Sequence, residues 1–132
     1  MIPICEPNIT IKDAEAVAES VRNTWVSGIS PVVAEFERKF ALWCGRKYGV
    51  ATNSGTTALH LALATLGIKK GDEVILPTFT MVATANAVTY CGAKIVLVDA
   101  DPETWCINAD QIEKKITRKT EVILPVHIYG HP

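Results

Sequence analysis

A chain of 132 residues with 48% hydrophobic and 20% charged side chains suits one domain with one core and is expected to fold rather than stay disordered. Its net charge of −1, with the basic residues scattered, excludes a nucleic-acid stripe and a polybasic membrane patch. No apolar run is long enough to span a bilayer, and the start MIPICEPNITIKD lacks the basic head and long apolar core of a signal peptide, so a cytoplasmic protein is the expectation.

Taken in chain order, Asp13 to Thr24 reads as an amphipathic helix with Ala14, Val17, Ala18 and Val21 on one face. Trp25 to Ser30 is a loop. Ser30 then offers a cap and Pro31 a first helical residue. Val33, Phe36, Phe40 and Trp43 recur at helical spacing, and Gly45 is placed to end that helix. Tyr48 to Thr52 reads as a short strand. The helix from about Thr56 to Leu66 is apolar nearly all round, so burial on most sides is expected, and Gly67 closes it. Lys69 to Asp72 is a turn. Val74 to Pro77 is a strand stopped by proline, Thr80 to Tyr90 another buried helix, and Ile95 to Val98 the next strand. Thr104 or Asn108 leads into a charged helix over Ala109 to Ile116, and a last strand runs from Val122 to about His127.

Continuous apolar strands alternating with helices specify an α/β fold with a mainly parallel sheet covered on both faces. No repeat, low-complexity tract or interdomain linker is present. Residues 129 to 132 follow a strand, where another helix should start, so the chain is expected to be the front part of something longer. Cys5, Cys44, Cys91 and Cys106 are widely spaced without a C-x-x-C. That excludes a zinc ribbon or thioredoxin-type site and leaves four small, mostly buried thiols as the expectation.

The stretch Asn53-Ser54-Gly55-Thr56-Thr57 carries the chemistry. It lies between a strand and a helix, where open parallel sheets bind ligands. Gly55 lets a phosphate approach the backbone. The N–H groups of Thr56, Thr57 and Ala58 can point at it, a threonine hydroxyl adds a donor, and the helix dipole favours the charge. Neither G-x-x-x-x-G-K-[ST] nor G-x-G-x-x-G is present, so this is not a P-loop or a dinucleotide fingerprint. From the loop alone, an ordinary Ser or Thr helix cap is an equal alternative.

The loop has company. The segments SGTTALHLAL, GIKKGDEVILPTFTMVATANAV, CGAKIVLVDADPET and KTEVILPVHIYG come in that order, after MIPICEPNI and TWVSGISPVVAEFERKFA. Together they resemble the DegT/DnrJ/EryC1/StrS sugar aminotransferases over essentially the whole chain. PTFTMVATANAV and VHIYG lean toward the perosamine-synthase-like branch. The resemblance implies a partial large domain of the aspartate-aminotransferase architecture (PLP fold type I) and the cofactor pyridoxal 5'-phosphate. It places Gly55, Thr56 and Thr57 at the cofactor phosphate, and Met81 where the family often sets an aromatic ring over the pyridine face, with a plain core residue as the alternative for Met81. Trp25, Val26 and Ser27 match a segment lining the substrate mouth, with a hydrophobic loop anchor as an equal alternative for that segment. His127 falls in the VHIYG segment. A hydrogen-bonded structural histidine is the expectation there, and a role near the cofactor the alternative. His127 and His131 are four apart, but Gly130 breaks a helix between them, so no metal pair is read. His60 is read as packing, and Asp99 and Asp101 as turn and cap residues.

Members of that family form a Schiff base through a lysine and pair an aspartate with the pyridinium nitrogen. Both residues come later than Pro132, so no catalytic residue is assigned here. Lys69, Lys70, Lys114, Lys115 and Lys119 read as solvated surface side chains. The resemblance also implies a homodimer, a nucleotide-sugar substrate and an amino-acid donor such as glutamate, with no nucleic-acid or membrane partner. An inactive truncated homologue and a same-family sugar dehydratase, in which histidine replaces the lysine, remain open at this point. A Rossmann nucleotide-binding module is weakened by the missing glycine fingerprint.

Overall fold

The computed structural model describes residues 2–3 and 5–130. The chain divides into two compact units, Met1–Ala51 and Thr52–Pro132.

The first unit holds two helices, α1 (Ile11–Arg22) and α2 (Pro31–Trp43). Helix α1 starts two residues before the expected Asp13, because its start is fixed by a cap. The Asp13 carboxylate accepts from the Thr10 N–H (2.8 Å) and hydroxyl (2.6 Å), and those bonds hold it below the usual carboxylate range. At its other end Trp25 N–H reaches the Ser20 carbonyl (2.8 Å) and Thr24 N–H the Val21 carbonyl (3.0 Å), the two bonds of a Schellman turn. Thr24 supplies the left-handed residue at φ 59°, a conformation that costs a β-branched side chain on the order of 1–2 kcal/mol.

Pro31 opens α2 as expected, but Ser30 makes no side-chain cap. Its carbonyl takes the first helical N–H groups, from Val33 and Ala34, and the fixed φ of proline supplies the start. Gly45, at φ 65°, ends α2 with Arg46 N–H on the Ala41 carbonyl (2.8 Å).

The expected strand at Tyr48–Thr52 does not form. A strand needs a ladder partner, and this segment has none. Instead the Glu37 carboxylate takes the Ala51 N–H at 2.8 Å. The backbone passes so close to α2 that a Cβ on Gly49 would sit 2.7 Å from the Glu37 carbonyl oxygen. The predicted apolar faces stay open: α1 buries no residue and α2 only Ala41. Phe36, Phe40 and Trp43 form a ladder with centroids 5.6 and 5.8 Å apart, each at least half exposed.

The second unit runs α3 (Gly55–Thr65), β1 (Glu73–Pro77), α4 (Val82–Tyr90), β2 (Lys94–Val98), α5 (Ala109–Ile112) and β3 (Thr120–Ile123). The three strands are parallel in the order β2-β1-β3, as the alternation of apolar strands and helices specifies. Central β1 is buried at every position, whereas β2 and β3 are only partly covered, so the expected cover on both faces holds for β1 alone. The core joins Leu63 and Ile68, flanking the α3 C-terminus, to Val74 and Leu76 of β1 and Ala87 and Val88 of α4. Gly67 and Gly92 close α3 and α4 in the same Schellman manner as Gly45.

Three expectations are corrected in this unit. Helix α3 buries only Leu63, because its apolar surface extends round more of the helix than one neighbouring helix and a strand can cover. The helix over Ala109–Ile116 tightens after Ile112 into a 3₁₀ turn, Glu113–Lys115. Strand β3 ends at Ile123 because Pro125 has no N–H to continue the ladder, although Leu124 N–H still reaches the Ile75 carbonyl (2.8 Å). Across the chain, the cysteines are not mostly buried: Cys5 and Cys44 are exposed, and Cys91 and Cys106 half-buried.

The amino edge of the sheet is tied by a carboxylate that the apolar pattern hides. Glu73 is buried at the start of β1. It accepts from Lys94 Nζ of β2 (2.9 Å) and from the Thr117 hydroxyl ahead of β3 (2.7 Å). Those two bonds hold its carboxyl below the usual range.

Candidate functional site

Residues 53–58 fold into an N-terminal cap with two parts. Ser54 and Thr57 close on each other. Ser54 Oγ accepts the Thr57 N–H (3.3 Å), Thr57 Oγ1 accepts the Ser54 N–H (3.2 Å), and the Thr57 hydroxyl reaches Asn53 Oδ1 and the Ser54 carbonyl, both at 2.8 Å. The Ala58 N–H is also used, on the Ser54 carbonyl (3.0 Å). The expectation that Thr57 and Ala58 offer free N–H groups is therefore corrected. The open part is Gly55 and Thr56, whose N–H groups have no acceptor among the described residues.

Gly55 is not required by the fold. It is not at a positive φ, and a Cβ there would meet nothing within 4 Å. The space beside it is clear, and two N–H groups at the positive end of an eleven-residue helix border it. The half-buried Thr56 adds a hydroxyl without a partner among the described residues. That donor set, with no side-chain carboxylate in residues 53–58, suits a phosphate.

A second feature lies at the carboxyl edge of the sheet. From β1 the chain crosses through α4 to β2 on one side, while β3 lies on the other. Loops leaving β1 and β3 thus diverge at a switch point, where open α/β sheets form their binding crevice. A cavity of about 380 Å³ opens there, lined by Phe79, Thr80 and Met81 after β1 and by Val126, His127, Ile128 and Tyr129 after β3. Met81 is the N-cap of α4 and is 75% exposed. The Thr80 hydroxyl is engaged with Thr84 (2.8 Å). His127 is exposed, and its ring has no partner among the described residues, so the expected hydrogen-bonded structural histidine is corrected. An adjoining cavity of about 470 Å³ is bounded by Phe79, Glu103, Thr104, Trp105, Ile128 and Tyr129. Asp99 and Asp101 take the turn roles read for them. Asp99 accepts from the Thr78 hydroxyl (3.1 Å), and Asp101 from the Glu103 and Thr104 N–H groups. Those N–H bonds, that of Thr104 foremost, lower the Asp101 pKa.

The sequence model of the DegT/DnrJ/EryC1/StrS aminotransferase family matches residues 7–132. The chain belongs to that family. It is 48% identical over 129 residues to a GDP-perosamine synthase of Caulobacter vibrioides, covering 98% of this chain and 35% of that protein. It is 47% identical to a GDP-perosamine synthase of Escherichia coli O157:H7, covering 99% of this chain and 36% of that one. In three dimensions it is similar to ntda from Bacillus subtilis, solved with bound cofactor PMP. The TM-score is 0.83 at 38% identity, over 92% of this chain and 29% of the other. The chain thus spans about a third of the length of the relatives it matches, and its alternating helices and parallel strands are a fragment of the larger domain of these PLP-dependent enzymes.

Within this family chain, the residues singled out beforehand fall in three places. Gly55, Thr56 and Thr57 form the α3 cap, and Met81 lines the crevice. Trp25 and Ser27 lie in the turn between α1 and α2, where Trp25 N–H closes the Schellman turn and the Ser27 carbonyl accepts the Ser30 N–H (3.2 Å). Lys69, Lys70, Lys114, Lys115 and Lys119 are exposed, as read. His60 is half-buried and packs edge-on against Tyr90 (5.5 Å between centroids). The His127–His131 spacing involves a residue outside those described, and among the described residues no group of three or more His, Cys, Asp or Glu is arranged to hold a metal. No helix among the described residues is long and apolar enough to cross a membrane. Sequence reasoning missed Phe79, Trp105 and Tyr129. Their one signal was position, since each follows shortly after a strand's carboxyl end.

Proposed function

We propose that this chain is the cofactor-binding front portion of a PLP-dependent nucleotide-sugar aminotransferase. The observation that carries the proposal is the α3 start, where Gly55 and Thr56 present two unspent N–H groups beside open space that the fold does not need. Membership of an aminotransferase family and the PMP-bound neighbour support it.

In this reading Gly55 and Thr56 hold the cofactor phosphate by backbone N–H bonds and the Thr56 hydroxyl. Thr57, whose own groups are spent, keeps the first turn in shape through Ser54. Met81 covers a face of the pyridine ring with its thioether. Trp25 and Ser27 line the approach of the substrate. Bound pyridoxal phosphate supplies an electron sink that lets an amino group leave one carbon and join another. The lysine and aspartate that family chemistry requires belong to residues outside these 132. The donor is an amino acid such as glutamate, and the acceptor a keto-deoxy sugar nucleotide. The working protein is a cytoplasmic homodimer.

The test is a titration of the protein with pyridoxamine 5'-phosphate, which needs no lysine bond, followed by protein fluorescence. Gly55→Val should weaken binding by about tenfold or more, because a branched side chain fills the space beside the two N–H groups. Pyridoxamine without the phosphate should bind native protein and variant equally weakly. Equal affinity of native protein and G55V for the phosphorylated ligand would remove the cradle.

A further inference from the structure

We infer that His127 is a ligand-contact residue of the switch-point crevice, donating a hydrogen bond to an oxygen borne on the cofactor ring. This rests on the function proposed above and adds to it a residue which that reading does not use.

Ligand crevices are mostly apolar and carry a few polar groups that fix orientation. Here Phe79, Met81, Val126 and Ile128 supply the apolar walls. Of the three polar side chains, Thr80 is committed to Thr84 (2.8 Å) and Tyr129 is 96% exposed. That leaves His127, exposed and without a partner among the described residues, as the polar lining side chain between the apolar walls of Val126 and Ile128. An imidazole without a partner in an apolar lining is the group that sets how a planar ligand lies.

The wall geometry agrees. Met81 comes from the β1–α4 turn and His127 from the chain after β3, so the two reach the crevice from opposite sides of the switch point. Directly after His127 the chain reverses, with the Gly130 N–H on the His127 carbonyl (3.1 Å) and Tyr129 held at φ 50°. A bulky residue in the left-handed region is strained, and such strain collects at binding sites, where the surrounding structure over-determines it. Here the strained turn fixes the backbone of His127 at the crevice mouth.

The experiment compares two ligands on the native full-length protein, His127→Phe and His127→Gln. The ligands are pyridoxamine 5'-phosphate and its 3-O-methyl ether, which keeps the phosphate and blocks the ring oxygen. Native protein should prefer the unmethylated ligand by about tenfold, the worth of one hydrogen bond to a charged group. H127F should lose about tenfold in affinity for pyridoxamine 5'-phosphate and lose that preference, and H127Q should keep part of both. Because His127 is exposed, the thermal midpoint of the unliganded variants should stay near native, which separates a lost contact from a misfolded site. Equal weakening of both ligands by H127F would assign His127 a structural role and overturn the inference. So would unchanged affinity and preference in H127F alongside weakened binding in G55V, and in that case the cofactor reading survives. Failure of native protein to bind either ligand would remove the reading and the inference together.

Discussion

Strand β1 and helix α2 both carry an apolar surface fit for a core and end in opposite surroundings. All five residues of β1 are buried, while α2, with Phe36, Phe40 and Trp43 on one face, buries Ala41 alone. Periodicity tells which residues would face a core; it does not say that a core is there to face. Strand β1 has its partners within a few dozen residues: β2 on one side, β3 on the other, and α4 packed against it. Within the first unit the aromatic face of α2 has none among the described residues, and an apolar patch of that kind marks a surface made for contact.

Four substitutions sharpen the contrast. The largest effect belongs to the β1 core: Leu76→Ala should destabilise the protein by about 2–5 kcal/mol in denaturant unfolding, through lost burial and the cavity left behind. Phe40→Ala, at a half-exposed position, should cost less than about 1 kcal/mol in the same assay. A Phe40→Ala loss equal to that of Leu76→Ala would show that the α2 face is covered in solution, and the contrast would collapse.

Next comes the Glu73 tie at the amino edge. Its folded pKa lies below the unfolded value near 4.5, so its contribution is fully present above that value and is lost as pH falls through and below it. Urea midpoints at pH 7 and in acid should therefore drop further for native protein than for Glu73→Gln. Equal drops would show that the tie contributes nothing to acid sensitivity.

The last effect is a gain. Thr24→Gly relieves the left-handed threonine and should stabilise the protein by about 1 kcal/mol, read as a raised unfolding midpoint. A loss instead would mean that the Thr24 side chain makes contacts outweighing its strain.

Much of the fold was legible beforehand because its signals are local. The parallel sheet follows from apolar strands alternating with helices, and the glycine stops at 45 and 67 follow from the left-handed residue that a Schellman turn requires. What could not be read was relational. Tyr48–Thr52 has strand composition and no ladder to join. Asp13 and Glu73 look like surface carboxylates until their partners, three and more than twenty residues away, are in place. At the candidate site, the residue types of the cap were plain in SGTT, but not which donors were spent. Ser54 and Thr57 consume each other's groups, and only the folded cap singles out Gly55 and Thr56.

The sequence by itself determined the family, the order of helices and parallel strands from α3 onward, and the glycine at the head of α3, because each is carried by residue identity and spacing along the chain. Tertiary structure alone decided where the crevice opens and that Met81 and His127 share it. Those two residues are 46 positions apart, and only the order β2-β1-β3, which sends the chain to opposite sides of β1, brings the ends of two strands to one gap.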